Sequence, residues 1–200
     1  MPERQPLNEF VKTVESMNRL LYLQEYDCPA LVQITDENGQ VLPLEEQKRL
    51  LRKKVRRVTQ DLLKTSLETA AFFLPDRSPL HASFFLIRNS DANENRSFIG
   101  VGTDPTCDLT FPEEDLSLRH GFFKAVKGMS FTDAGSTNGT FINGTKLDPR
   151  KSKKLNNHDE MRFGEHAVFI YMSVHGFYEL AQACALAQHP DKAEAQNKVS

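Results

Sequence analysis

Apolar residues near the start of the chain recur at helical spacing. Leu7, Phe10, Val14, Met17 and Leu21 step by threes and fours, the stripe of an amphipathic helix over about residues 6–25. Asp27-Cys28-Pro29 ends it, because proline cannot continue a helix. Apolar runs at 30–35 and 40–42 then bracket Asp36-Glu37-Asn38-Gly39, and Asn-Gly between such runs predicts a short two-stranded ribbon. Over residues 44–74, Leu51, Val55, Val58, Leu62, Thr69 and Phe72 keep a second helical seam, while Lys48, Arg49, Arg52, Lys53, Lys54, Arg56 and Arg57 crowd the other face. Two such seams can cover each other where neither is stable alone.

After a proline-bounded linker at 76–79 the period shortens to that of strands. Runs at 84–87 and 97–99 flank a polar loop at 89–96, and short strands are expected at 108–111, 121–126, 129–132, 140–142, 160–163 and 167–174. Many short strands separated by turn residues predict an antiparallel β-sandwich. The fold class is therefore α+β: a mainly helical module with a hairpin over 1–75, the linker, a sandwich over 80–175, and a C-terminal helix and tail over 176–200.

The chemistry concentrates in Gly135-Ser136-Thr137-Asn138-Gly139-Thr140, followed by Phe141-Ile142-Asn143-Gly144. Glycines that reach positive φ mark two sharp bends, and the first bend presents hydroxyls beside a carboxamide. Upstream lie Val101-Gly102-Thr103-Asp104-Pro105-Thr106-Cys107-Asp108-Leu109 and Ser117-Leu118-Arg119-His120. Downstream lies Leu155-Asn156-Asn157-His158-Asp159-Glu160-Met161-Arg162-Phe163-Gly164. In this order and spacing the four pieces resemble a forkhead-associated (FHA) domain, a phosphothreonine-peptide recognition module, over about residues 80–174.

The resemblance implies an eleven-stranded sandwich and a phosphopeptide site at its loops. Ser117 takes the position of the serine that donates its hydroxyl to the phosphate. Asn138, with Thr137 before it, takes the position that fixes the peptide backbone. Gly102, His120, Gly135 and Gly139 fall on positions that shape the loops. Where the family carries arginine after its first motif glycine, this chain has Thr103; taking Gly100 as that glycine would place Val101 there instead. Leu118 follows the motif serine, and Arg119 is a candidate to supply the missing charge. His158 stands where the family has a turn glycine.

Composition narrows the remaining classes. Three widely spaced cysteines, Cys28, Cys107 and Cys184, fit neither a disulfide framework nor a zinc site and point to a reducing, cytoplasmic setting. The polar start Met-Pro-Glu-Arg-Gln-Pro predicts no signal peptide, and no apolar run is long enough for a transmembrane segment. No catalytic motif, metal-ligand spacing or cofactor loop is present, so the expectation is a non-enzymatic adaptor without cofactors. Its partner would be a phosphothreonine-bearing protein, the substrate of a Ser/Thr kinase. A phospho-independent scaffold is the alternative. Nucleic-acid or membrane-surface binding by the basic run is disfavoured, since the net charge is -2 and no aromatics interleave the cations. Self-recognition is a further expectation, with Thr35, before Asp36-Glu37 in a turn expected to be exposed, as the modified residue.

Overall fold

The computed structural model describes residues 5–36, 38, 40–43, 46, 81–90, 94, 97–111 and 115–188. The helix expected over 44–74, the linker at 76–79 and the tail beyond 188 lie outside them. The chain divides into two units, one formed chiefly by 28–33 and 84–173, the other by the flanking segments.

The first unit is a sandwich of two mostly antiparallel sheets. One sheet runs in the order β3 (Ala82–Leu86), β2 (Ala30–Ile34), β12 (Ala167–Met172), β11 (Glu160–Phe163), β8 (Thr140–Ile142), β9 (Thr145–Lys146). The other runs β10 (Ser152–Lys154), β7 (Met129–Asp133), β6 (Gly121–Ala125), β4 (Ile99–Gly102), β5 (Leu109–Thr110), with β4 and β5 parallel. Alternate residues turn inward and fill the space between the sheets, among them Val101, Phe111, Phe123, Phe131, Met161, Phe163 and Phe169, all almost fully buried. Their rings meet at angles, with Phe123 and Phe131 at 4.8 Å and Phe111 and Phe169 at 4.7 Å between centroids. Each such side chain contributes roughly 1.5–3 kcal/mol by leaving water, enough to make this layer the rigid support of the loops.

Of the ribbon expected over 30–42, the described residues show an antiparallel bridge between Thr35 and Val41, flanked by backbone bonds from the Asp36 N–H to the Gln40 carbonyl and from the Leu42 N–H to the Ile34 carbonyl. Ala30–Ile34 also pairs with β12, Val32 opposite Ile170 and Leu31 opposite Tyr171, as its nearly continuous apolar sequence allows for a strand covered on both faces. The structure therefore groups 28–33 with the sandwich rather than with the helical module. Thr35 is only 5% exposed, so it is not the accessible turn residue that modification and self-docking would require. Two strands had no counterpart in the apolar pattern: β9 and β10 are wholly exposed and carry Lys146, Lys153 and Lys154. At the start of the β11 turn His158 takes φ 70, a left-handed conformation in which glycine is unstrained, so the turn survives the replacement at some local cost.

In the second unit, β1 (Gln5–Pro6) leads into α1 (Leu7–Val14), followed by α2 (Arg19–Glu25), while α3 (Val174–Gln188) lies at the other end of the sequence. One helix was expected over 6–25. Asn18 breaks it: its side chain accepts from the Leu21 N–H at 2.9 Å and caps a second helix, which rotates the stripe so that Tyr22 is buried and Leu21 exposed. Phe10 stacks on Phe177 at 5.1 Å, and the Gln182 side chain donates to the Val14 carbonyl at 3.0 Å, tying α1 to α3. None of the three cysteines forms a disulfide among the described residues, and burial pushes the Cys184 thiol up to about 12, leaving it protonated and inert. Among the described residues no helix is long and apolar enough to cross a membrane.

Candidate functional site

Hydrogen bonds tie together three loops, residues 103–108, 115–120 and 134–139, and the turn at 164–166. The first loop is held by its backbone: Thr103 N–H donates to the Ser117 carbonyl at 3.2 Å, Asp104 N–H to Leu118 at 3.0 Å, and His120 N–H returns to Val101 at 2.8 Å. This ladder requires a glycine at position 102. A Cβ there would lie 2.7 Å from the Leu118 carbonyl carbon and 2.9 Å from the Ser117 oxygen. Gly102 thus serves as the close-approach point between β4 and the serine loop.

His120 has no exposed surface. Its Nδ1 accepts from the Ser117 N–H at 3.4 Å, so the neutral ring carries its proton on Nε2, 3.8 Å from Asp133 Oδ2. The spacing Ser-x-x-His is thereby explained: the imidazole fixes the backbone that presents the Ser117 hydroxyl. Burial lowers the His120 pKa below its ordinary 6.5, against smaller opposing effects of Asp133, the Gly139 backbone and Asp115.

Asp133, 1% exposed, organises the next loop. One oxygen accepts from the N–H groups of Gly135 and Ser136, both at 2.8 Å, and the other from the hydroxyls of Ser136 and Thr140, both at 2.7 Å. Burial pushes this carboxyl up, but the bonds from Ser136, Thr140 and Gly135 together outweigh it and hold the pKa below 3.8. Gly135 and Gly139 take φ 95 and 83, so both bends sit where glycine alone is unstrained.

The loops bring the central candidates together. Thr137 N–H donates to Ser117 Oγ at 3.0 Å, and the two hydroxyls lie 3.4 Å apart. Asn138 donates through Nδ2 to the Asp115 carbonyl at 2.8 Å, which leaves its carboxamide oxygen free of that bond. Thr103 is joined to this group through its backbone. Arg119, 78% exposed, has its guanidinium 4.0 Å from Asp104, not on the Ser117–Thr137 pair. The Thr106 backbone and hydroxyl hold the Asp104 pKa below 3.8, with Arg119 adding to the effect, so a carboxylate shares this loop.

Three further side chains shape the site without having been singled out from sequence. Asp133 stands two residues before Gly135, the spacing of an Asx turn, and that signal could have found it. Asp115 accepts from the N–H groups of Glu165 and His166, and only tertiary structure reveals that link. Lys146 lies beyond the Asn143-Gly144 turn; both turn residues have positive φ, 50 and 76, which sets Lys146 opposite Phe141.

A pH dependence follows. Above 6.5 neither group costs stability. As pH falls below 6.5 the unfolded chain binds a proton that buried His120 resists, so stability declines until the lower folded pKa is passed. A second decline begins near 3.8, where unfolded Asp133 takes a proton before the folded group does. Urea midpoints of His120→Gln and the parent should differ in slope just below pH 6.5; parallel curves there would contradict the assignment.

Residues 99–164 match the family model of the FHA domain. No curated protein matches the chain in sequence. Similar solved structures include Mycobacterium tuberculosis EmbR in complex with a low-affinity phosphopeptide, at 18% identity and a TM-score of 0.35 over 38% of this chain and 20% of that one. The present chain thus spans about a fifth of the EmbR chain. A structure concerned with phosphothreonine-dependent FHA domain interactions gives 15% and 0.40 over 72% and 95%. The N-terminal FHA domain of S. cerevisiae Rad53p with a phosphothreonine peptide gives 24% and 0.37 over 44% and 79%.

Proposed function

We propose that this chain is a cytoplasmic, non-enzymatic signalling adaptor that docks onto phosphothreonine-bearing protein segments through the loops around Ser117, Thr137 and Asn138. The carrying observation is the Ser117–Thr137 pair. In the free protein the Thr137 N–H is spent on Ser117 Oγ. The Ser117 hydroxyl in turn donates to Thr137 Oγ1 at 3.4 Å, and a phosphate that takes both the Thr137 N–H and the Ser117 O–H meets two fixed donors converging on one anion. The Asn138 carboxamide oxygen is then available to accept a backbone N–H of the bound segment. Because the loops hang on a rigid sandwich, little ordering cost attends binding.

Thr103 makes the site atypical. The arginine expected there from the family would add a charge-assisted bond of roughly 1.5–3 kcal/mol, so binding is weaker by about ten- to a hundredfold than with it. Titration with a phosphothreonine peptide library and its unphosphorylated counterpart tests the reading: the phosphorylated set should bind selectively, and Asn138→Ala should weaken it by at least about tenfold. Equal binding of both sets would overturn it in favour of a phospho-independent scaffold. The 68% exposure of Leu118 beside Ser117 is the feature that favours this second reading.

A further inference from the structure

The charge absent at Thr103 has a second possible source at the same group of loops. Lys146 lies on β9, outside the motif that identifies the site. The left-handed turn Asn143-Gly144 folds β9 back on β8 so that Lys146 pairs with Phe141, two residues after Gly139. Gly139 has no side chain, and the space a Cβ would fill is occupied by the end of the Lys146 stem, with Nζ 3.1 Å from that position. The end of the Lys146 side chain therefore rests against Gly139, the residue that follows Asn138. The same Nζ lies over the Phe141 ring, 5.8 Å from its centroid.

Arg162 of β11 pairs with Phe141 from the other side, its guanidinium 3.6 Å from the ring centroid and donating to the Gly164 carbonyl. Arg162 is thus fixed by the ring and by the backbone. Lys146 belongs to a fully exposed strand, and among the described residues no ion pair reaches it. A cation without a carboxylate partner, against the residue that follows Asn138, can accept an anion at little desolvation cost.

We propose that Lys146 is a specificity-determining residue of this site: its ammonium engages a negative charge on the bound segment next to Asn138. The chemistry required is an anionic oxygen, supplied either by the phosphate or by an acidic side chain flanking the phosphothreonine. The inference rests on the phosphopeptide reading above and deepens it.

The test uses the full chain and its Lys146→Gln and Lys146→Arg variants, titrated by calorimetry with two synthetic phosphothreonine peptides, one with neutral flanks and one with Asp or Glu on both sides. Lys146→Gln should weaken binding by about tenfold at low salt, with a shallower salt dependence, and Lys146→Arg should restore both. Weakening with both peptides to the same degree assigns the phosphate as the anion. Weakening confined to the acidic-flanked peptide assigns the carboxylate. If the parent binds both peptides and Lys146→Gln binds them equally well, the inference falls while the phosphopeptide reading stands. If the parent binds neither, both fall.

Discussion

Asp133→Ala is expected to lower the stability of the sandwich by about 3 kcal/mol and to abolish peptide binding, although Asp133 itself is buried and presents nothing to a ligand. Its carboxylate is the acceptor for two backbone N–H groups and two hydroxyls. Truncation leaves the Thr140 hydroxyl, on a residue with no exposed surface, without that acceptor, and frees the Gly135-Ser136 backbone from the turn that aims Thr137 at Ser117. Each buried polar group left unpaired costs roughly 1–3 kcal/mol, and water entering from the exposed side of the loop recovers part of it.

Urea denaturation of Asp133→Ala, Thr140→Val and the double variant separates the contributions. Thr140→Val removes the stranded hydroxyl, so the double variant should lose less than the sum of the two single losses. Strict additivity, or a loss under about 0.5 kcal/mol for Asp133→Ala, would show that the carboxylate does not organise the loop. Asp133→Asn keeps the shape but offers one accepting oxygen, and should fall between parent and alanine.

Why the motif loops were legible and their support was not follows from the range of the forces involved. Gly135, Gly139 and the Asn143-Gly144 turn declare themselves locally, since positive φ is a property of one residue. Strands 140–142 and 160–163 coincide with their expected bounds because alternation on a half-buried face is also local. β9 and β10 carry no such pattern, because edge strands with both faces wet gain nothing from apolar positions and are guarded by lysine. The destination of Ala30–Ile34 depends on an open edge at β12, more than 130 residues away in sequence. Hydrophobicity shows that this run will be buried, but not beside which strand. The same holds within the site: Ser117, Thr137 and Asn138 were readable as types at a spacing, whereas Asp115 and the path of Arg119 toward Asp104 depend on which loops meet.

Gly102→Ala is expected to disrupt both fold and site, while Gly100→Ala, two residues earlier on the same strand, is expected to be tolerated. A methyl at Gly100 would find its nearest neighbour, Asp108 Oδ2, at 3.7 Å, an ordinary van der Waals contact. A methyl at Gly102 would meet the Ser117 and Leu118 carbonyl groups. Backbone cannot rotate away as a side chain can, so relief requires β4 and the serine loop to separate. That strains the bonds from Thr103 and Asp104 to the Ser117 and Leu118 carbonyls and from His120 to Val101. Overpacking of this kind costs roughly 1–3 kcal/mol, and here the lost hydrogen bonds add to it. Because the displaced loop carries Ser117, the proposed phosphopeptide affinity should fall even in the fraction that remains folded. Paired measurement of urea midpoints and peptide affinity for the two variants checks this. It also identifies the motif glycine: a large loss at 102 with little at 100 puts Thr103, not Val101, at the position where the family carries arginine. Equal behaviour of the two variants would mean that the serine loop does not depend on its close approach to β4.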